Sequence, residues 1–224
     1  MACVIARAIA DGERVGVGVN SPIPAAGVLL AQRTHAPRLT FRLPGVPGTV
    51  PFTGSKEFFD YAQRGRLDLF FLSGVQIDAE ARINLHVLGD YERPRRRFPG
   101  AFGSAVLYPV VRRVILFRTE HSPRVFVPRV DFVTAAGRPD QVVTPLAVLG
   151  YDRAAGRLVL DSYHPGQSVE GVRAATGFEL ALAPGAGETP PPSRAELSVL
   201  RGEVYPLLEA AYPAFVREVA GPSG

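Results

Sequence analysis

Runs of β-branched and aromatic residues alternate with helically spaced apolar positions along most of the chain. Residues 2–10 carry Val4, Ile5, Ala8 and Ile9 at helical spacing and stop at Asp11-Gly12. Residues 14–19 read as a strand, and Ser21-Pro22 opens a helix through Ala25, Ala26, Val28, Leu29 and Leu30 to about Arg33. Residues 39–43 form a second strand, and Ser55 caps a helix whose apolar face is Phe58, Phe59 and Ala62. Residues 67–72 are a fully apolar run of the kind that fills a buried parallel strand. Short strands are predicted over 83–88, 114–117 and 124–127; residues 106–112 stay open between helix and strand. Residues 142–149 and 157–163 pair as a hairpin around the glycine-closed turn at 151–156, and Ser168 caps a helix over 169–175. This alternation predicts an α/β chain with a mainly parallel central sheet. Residues 181–193, rich in proline and glycine, read as a linker between a domain at 1–180 and a helical arm at 194–224. Leu197, Leu200, Val204, Leu207, Leu208 and Ala211 share a face of that arm, and Pro206 and Pro213 should kink or break it.

Three turns carry candidate chemistry, because α/β proteins place their sites beyond the carboxyl ends of parallel strands. The first is Asn20-Ser21, between a strand and the helix that begins at Pro22, where backbone N–H groups suit an anion. An ordinary strand-to-helix turn fits it equally. The second follows the apolar run: Gly74, Gln76 and Asp78, then Asn84. The third is the glycine loop of Gly100, Phe102, Gly103 and Ser104. Glycine turns of this kind can face N–H groups toward an oxyanion or a phosphate. His86 is expected as a polar side chain on the exposed face of its strand.

Composition narrows the field. The 224 residues suffice for a large α/β core. No stretch approaches the ~20 apolar residues that span a bilayer, and the first residues turn acidic too early for a secretory signal. One cysteine, Cys3, excludes an internal disulfide framework and a cysteine-rich zinc site. The expectation is a cytoplasmic protein with no membrane association. Of 25 basic residues only Lys56 is a lysine, and the net charge is +4. Arg93, Arg95, Arg96 and Arg97 suit phosphate groups; a solvated loop fits them as well. Without a basic stripe interleaved with aromatic platforms, no nucleic-acid partner is expected.

Taken as one string, residues 74–78, Asn84, Gly89-Asp90 and the Pro-Gly-Ala-Phe-Gly-Ser run at 99–104 resemble the β-subunit of class I coenzyme A transferases, of the glutaconate CoA-transferase type. The segment Val130-Asp131-Phe132-Val133-Thr134, the turn Tyr163-His164-Pro165-Gly166 and residues 175–179 share the likeness, which covers roughly residues 1–180. The resemblance implies a three-layer α/β fold related to ribose-phosphate isomerases. It also implies a homologous α-subunit as partner, with the active site between the two chains. Acyl-CoA is the implied substrate and coenzyme A the cosubstrate, with no tightly bound cofactor. Asn20, Ser21, Gly74, Gln76, Asp78, Asn84, Gly100, Phe102, Gly103 and Ser104 are the implied site residues. Loops 44–54 or 90–105 are expected to be buried between chains.

In that family a β-subunit glutamate just after the second strand carries the covalent thioester. Here the place falls near Phe41-Arg42-Leu43-Pro44-Gly45, and no Asp or Glu occurs from Arg14 through Lys56. Arginine and leucine cannot form that thioester. Three readings follow: a transferase-like subunit acting on acyl-CoA, a subunit of an acyl-CoA ring-cleaving hydrolase that needs no covalent carboxylate, or a non-catalytic structural subunit.

Overall fold

The computed structural model describes residues 1–46, 49 and 54–220. The chain divides into two compact units, residues 1–71 with 192–224 and residues 72–191.

The first unit begins with α1 (Ala2–Arg7), β1 (Arg14–Gly16), α2 (Pro22–Thr34), β2 (Thr40–Arg42), α3 (Ser55–Gln63) and β3 (Leu69–Leu72). β1 lies between β2 and β3 and is parallel to both; Gly16 stands opposite Arg42 on one side and Phe70 on the other. The amino ends are clamped by Arg14, whose Nε and Nη2 meet the two carboxylate oxygens of Asp68 at 2.7 and 2.8 Å. Gly16 is required by a close approach: a Cβ there would sit 2.7 Å from Cδ2 of Phe70, whose ring crosses β1. α2 is apolar nearly all round, with residues 24–31 buried. It meets α1 at Gly27, where a Cβ would stand 2.5 Å from Cγ2 of Ile5.

The C-terminal segment returns to this unit. α6 (Arg194–Val199) opens with a capping box in which Ser193 and Glu196 exchange side-chain to backbone bonds. Arg7 ties α1 to it, its Nε and Nη2 donating to Glu196 at 2.8 and 2.7 Å. A π-helical turn (Leu200–Val204), α7 (Tyr205–Leu208) and α8 (Pro213–Ala220) follow. Leu200, Val204 and Leu208 are buried, four residues apart, where the segment packs on α2. Pro206 distorts the helix without ending it, and Pro213 opens α8 after the helix has ended. Tyr205 N–H reaches back five residues to the Leu200 carbonyl. That widened turn makes room for the ring of Pro206, which has no N–H for a four-residue bond.

The second unit contains β4 (Gln76–Asp78), β5 (Ile83–Asn84), β6 (Val87–Gly89), β7 (Pro94–Arg97), α4 (Ser104–Val110), β8 (Arg113–Phe117), β9 (Phe126–Val127), β10 (Gln141–Val143), β11 (Ala147–Asp152), β12 (Arg157–Tyr163), α5 (Val169–Ala174) and β13 (Ala181–Glu188). β10 is parallel to β8, β13 is parallel to β12, and the β10–β11–β12 run is antiparallel. With β1 to β3, the pairing is mainly parallel and the class is mixed α/β. Asp152 closes the hairpin by accepting from Ala154 and Ala155 N–H before Gly156, whose φ is +67°. Ser168 caps α5 through Gly171 N–H.

Two elements depart from the sequence pattern. Residues 83–88 are not one strand but β5 and β6, separated by a turn that the Asn84 side chain holds. Residues 181–188, read as linker, form β13 beside β12, with a register shift between Leu160 and Ser162. A parallel edge strand tolerates Pro184, and Gly185 supplies the positive φ of +80° that the irregular pairing needs.

The Gly27 contact yields a direct test. Gly27→Ala improves helix propensity by about 1 kcal/mol but must force α1 off α2. A net loss of about 1–3 kcal/mol is expected in urea unfolding, with Ile5→Ala partly restoring it in the double variant.

Candidate functional site

In the second unit the chain leaves β3 through Ser73-Gly74 and is gathered around Asn84. Asn84 is fully buried. Its Nδ2 donates to Gln76 Oε1 at 2.8 Å and to the Val87 carbonyl at 2.6 Å. Its Oδ1 accepts from the His86 and Val87 N–H groups at 3.0 and 3.3 Å. Gln76 Oε1 also accepts from Asp131 N–H at 2.9 Å, and Asp131 Oδ2 in turn accepts from Gly89 N–H at 2.7 Å. Gly74 is fixed by crowding: a Cβ would lie 2.6 Å from the Gln76 carbonyl oxygen and 3.3 Å from that of Asn84. The Asn84 carboxamide and Gln76 Oε1 are therefore engaged with each other and with the neighbouring backbone, and Gly74 is closed in beside them.

Asp78 is likewise fully buried. Its carboxylate accepts from Glu80 and Arg82 N–H and from Arg82 Nε at 2.8 Å, closing the turn in which Ala81 has φ +62°. Tyr108 of α4 donates to the Ala81 carbonyl at 2.9 Å, and its burial pushes the phenol far above the usual tyrosine range. Asp78 is thus a turn anchor, held as an acceptor on every side.

The loop before α4 adjoins the Asn84 network through His86. A Cβ on Gly100, whose φ is +95°, would lie 3.4 Å from His86 Nε2. His86 Nδ1 lies 2.7 Å from Thr134 Oγ1, and its ring is 5.0 Å from that of Phe132. It is half-buried and engaged, not a free surface histidine. Phe102 is 81% exposed at φ +42°, an arrangement a non-glycine residue adopts only at a cost of about 1–3 kcal/mol. Ser104 N–H is used by the Ala101 carbonyl at 2.8 Å, and the Ser104 residue is buried. Of the neighbouring arginines, Arg97 stacks over Tyr91 and bonds its carbonyl, Arg96 stacks over Phe98, and Arg95 lies 3.7 Å from Asp131.

Asn20 and Ser21 belong to the first unit. Asn20 is exposed with φ +56°, a conformation asparagine tolerates better than most side chains. Ser21 Oγ donates to the Val19 carbonyl at 3.3 Å rather than capping α2. At the neighbouring carboxyl end, Leu43 is fully buried, while Arg42 is half-buried with its guanidinium 4.8 Å above the Phe58 ring.

Sequence reasoning does not single out Asp131, Thr134 or His121 as site residues. The 130–134 segment is legible as a motif; its function as a brace for Gln76 and His86 is visible only in three dimensions. His121 is buried between Thr144 Oγ1 at 2.8 Å and Thr176 Oγ1 at 3.0 Å, with its ring 4.2 Å from Phe126. Burial lowers its pKa to about 4. Among the described residues no cluster of His, Cys, Asp and Glu is placed to hold a metal ion, and no helix is long and apolar enough to cross a membrane.

Two measurements probe these structural assignments. Asn84→Ala removes the side-chain partners of the Val87 carbonyl and of the His86 and Val87 N–H groups, while Gln76 Oε1 keeps Asp131 N–H, so a loss of about 2–4 kcal/mol in denaturant unfolding is expected. For His121, the unfolded chain takes up a proton near the ordinary value of 6.5, the folded chain only near 4. Between these values the unfolded state binds more protons, so stability is complete above pH 6.5 and falls toward pH 4. The loss is about 3 kcal/mol, and urea midpoints in His121→Gln should show a flatter profile over that window.

The description of the coenzyme A transferase family matches residues 44–175. The chain is 28% identical over 239 residues to the B-type subunit of the 3-oxoadipate CoA-transferase of Pseudomonas knackmussii, covering 90% of each protein. It is 27% identical over 213 residues to the IpdB subunit of the cholesterol ring-cleaving hydrolase of Rhodococcus jostii, covering 82% of each. A solved structure of the decarboxylase AibA/AibB superposes with a TM-score of 0.80 at 28% identity, covering 92% of this chain and 95% of that one. With the family description spanning more than half of its length, the chain belongs to the coenzyme A transferase family.

Proposed function

We propose that this chain is the B-type subunit of an enzyme that handles acyl-CoA thioesters together with an A-type partner, and that it does so without a covalent carboxylate of its own. Its relatives carry three chemistries by name: CoA transfer, ring-cleaving hydrolysis and decarboxylation. Reaction type on one fold is set by the residues at the site. The observation that carries the reading is the carboxylate-free stretch from Arg14 through Lys56, which contains β1, β2 and their carboxyl ends. Transfer through a mixed anhydride and an enzyme thioester needs a carboxylate nucleophile there. Hydrolytic cleavage needs a base to activate water and donors for the developing oxyanion, and the base comes from the partner chain in this reading.

The turns at Asn20-Ser21, Gly74 and residues 100–104 are the proposed contacts to the acyl-CoA. Tyr91, Phe102, Val106 and Val110 are exposed apolar side chains on or beside the 90–105 loops, which supports burial of this surface by a partner chain. The other expected interface, 44–54, includes residues 47, 48 and 50–53, which lie outside the described residues.

The test traps the intermediate. The co-purified complex is incubated with acyl-CoA, reduced with borohydride and mapped by peptide mass spectrometry. No reduced or CoA-modified carboxylate on this chain is expected, together with acyl-CoA turnover. Modification of Glu57, Asp60, Asp78 or Asp90 would restore the covalent transferase route. No acyl-CoA binding at all would leave a structural subunit.

A further inference from the structure

The end of the chain lies on the carboxyl edge of β1 and β2. Gly45, just beyond β2, has φ +85°, and a Cβ there would stand 3.0 Å from the Ala211 Cβ. The next residue of the arm, Tyr212, reaches the other loop of the same edge: the Ser21 backbone N–H faces its hydroxyl oxygen. That oxygen is buried, yet it completes no hydrogen bond among the described residues. Burial pushes the phenol up, and the Ser21 N–H offsets only part of the effect.

Donors are scarce at this turn. α2 opens with Ser21-Pro22-Ile23-Pro24, and neither proline has an N–H. Of the four N–H groups that a helix leaves open at its start, Ser21 and Ile23 supply the remaining two. The Ser21 hydroxyl is turned onto the Val19 carbonyl. A ligand oxygen at the Asn20-Ser21 turn therefore depends on two backbone donors, and Tyr212 stands on the first.

The arm that carries Tyr212 is held unevenly. Up to Leu208 it is fixed by the Arg7–Glu196 pair and by Leu200, Val204 and Leu208, buried where the segment packs on α2. The helix stops there. Ala211 and Tyr212 N–H both bond back to the Leu208 carbonyl, at 3.1 and 2.7 Å, and Pro213 starts α8. Beyond Leu208, Val216 is the one buried side chain among the described residues. Tyr205 and Phe215 meet edge-on with ring centres 6.1 Å apart. Few buried apolar contacts mark the part of a fold that opens most easily.

We infer that residues 209–220 are a gate over the Asn20-Ser21 turn, closed by Tyr212 in this structure and swung out about the 209–212 turn when an acyl-CoA enters. The closed state is shallow, because a buried hydroxyl without a partner costs stability. Opening releases both the hydroxyl and the Ser21 N–H to better partners. The ligand's use of the turn rests on the acyl-CoA reading above; the position of the gate rests on the contacts of Ala211 and Tyr212.

The test is hydrogen–deuterium exchange on the co-purified complex of full-length chains, alone and with saturating CoA or hexanoyl-CoA, whose binding is measured separately by calorimetry. Peptides from 209–219 should exchange faster with hexanoyl-CoA bound, and those from 193–204 should not change. Tyr212→Ala removes the bar and should bind hexanoyl-CoA about tenfold more tightly than the parent, since the closed state no longer lowers the apparent affinity. Tyr212→Phe keeps the ring in place and should bind as the parent does. Unchanged or slower exchange of 209–219 on binding overturns the gate, and that reading needs no variant to fold. So does weaker binding in Tyr212→Phe at an unchanged unfolding temperature, which would make the hydroxyl a ligand contact. In either case, binding of CoA or hexanoyl-CoA to the parent keeps the acyl-CoA reading intact, whereas binding of neither removes both.

Discussion

A carboxamide with no access to water must find all its partners inside the protein, and Asn84 does. Two donor bonds and two acceptor bonds leave it nothing to offer a ligand. The surrounding turns follow from that requirement. Residues 85 and 86 cannot continue β5, because the Asn84 oxygen draws in the N–H groups of His86 and Val87. Gly74 cannot carry a side chain, because the Gln76 and Asn84 carbonyls close over it. Gln76 is held in place from two sides, and its second partner, Asp131, secures Gly89. The result is a frame that the loop at 100–104 adjoins at His86, with Phe102 exposed and Ser104 buried.

The first unit solves a different problem. Three parallel strands bring their carboxyl ends to one edge, the usual location for ligand chemistry in α/β proteins. Around that edge the polar inventory is sparse: an exposed Asn20 in a left-handed conformation, Ser21 turned onto its own loop, and Arg42 on the Phe58 face. A nucleophilic carboxylate is missing from the sequence itself. The chemistry open to this edge is recognition of charge and stabilisation of developing negative charge, with proton transfer supplied from outside the chain.

Much of this is legible in one sequence. Strand and helix periods locate α2, β3 and the β11–β12 hairpin, and the glycine and asparagine pattern of 74–89 points to the family. What escapes depends on distant partners. Periodicity reads 83–88 as a single strand because it has no term for a side chain that captures its own backbone. The glycines and Pro184 of 181–188 argue for a linker, yet one free edge on β12 is enough to order them. Gln76, Asp78 and Asn84 are recognisable as a motif, but that they brace turns is visible only from their partners. In the sequence Arg42 stands out only for what it is not; its stacking on Phe58 is visible only in three dimensions.

The central claim is that this chain takes part in acyl-CoA chemistry without lending a carboxylate to it. A covalent route releases the free acid when the enzyme thioester forms, and the same step must run backwards. The most direct measurement is therefore isotope exchange: the complex is given an acyl-CoA it turns over and the radiolabelled free acid of the same acyl group, with no other acid present. No label should enter the acyl-CoA while the acyl-CoA substrate is turned over. Label appearing in the acyl-CoA at a rate comparable to turnover would contradict it.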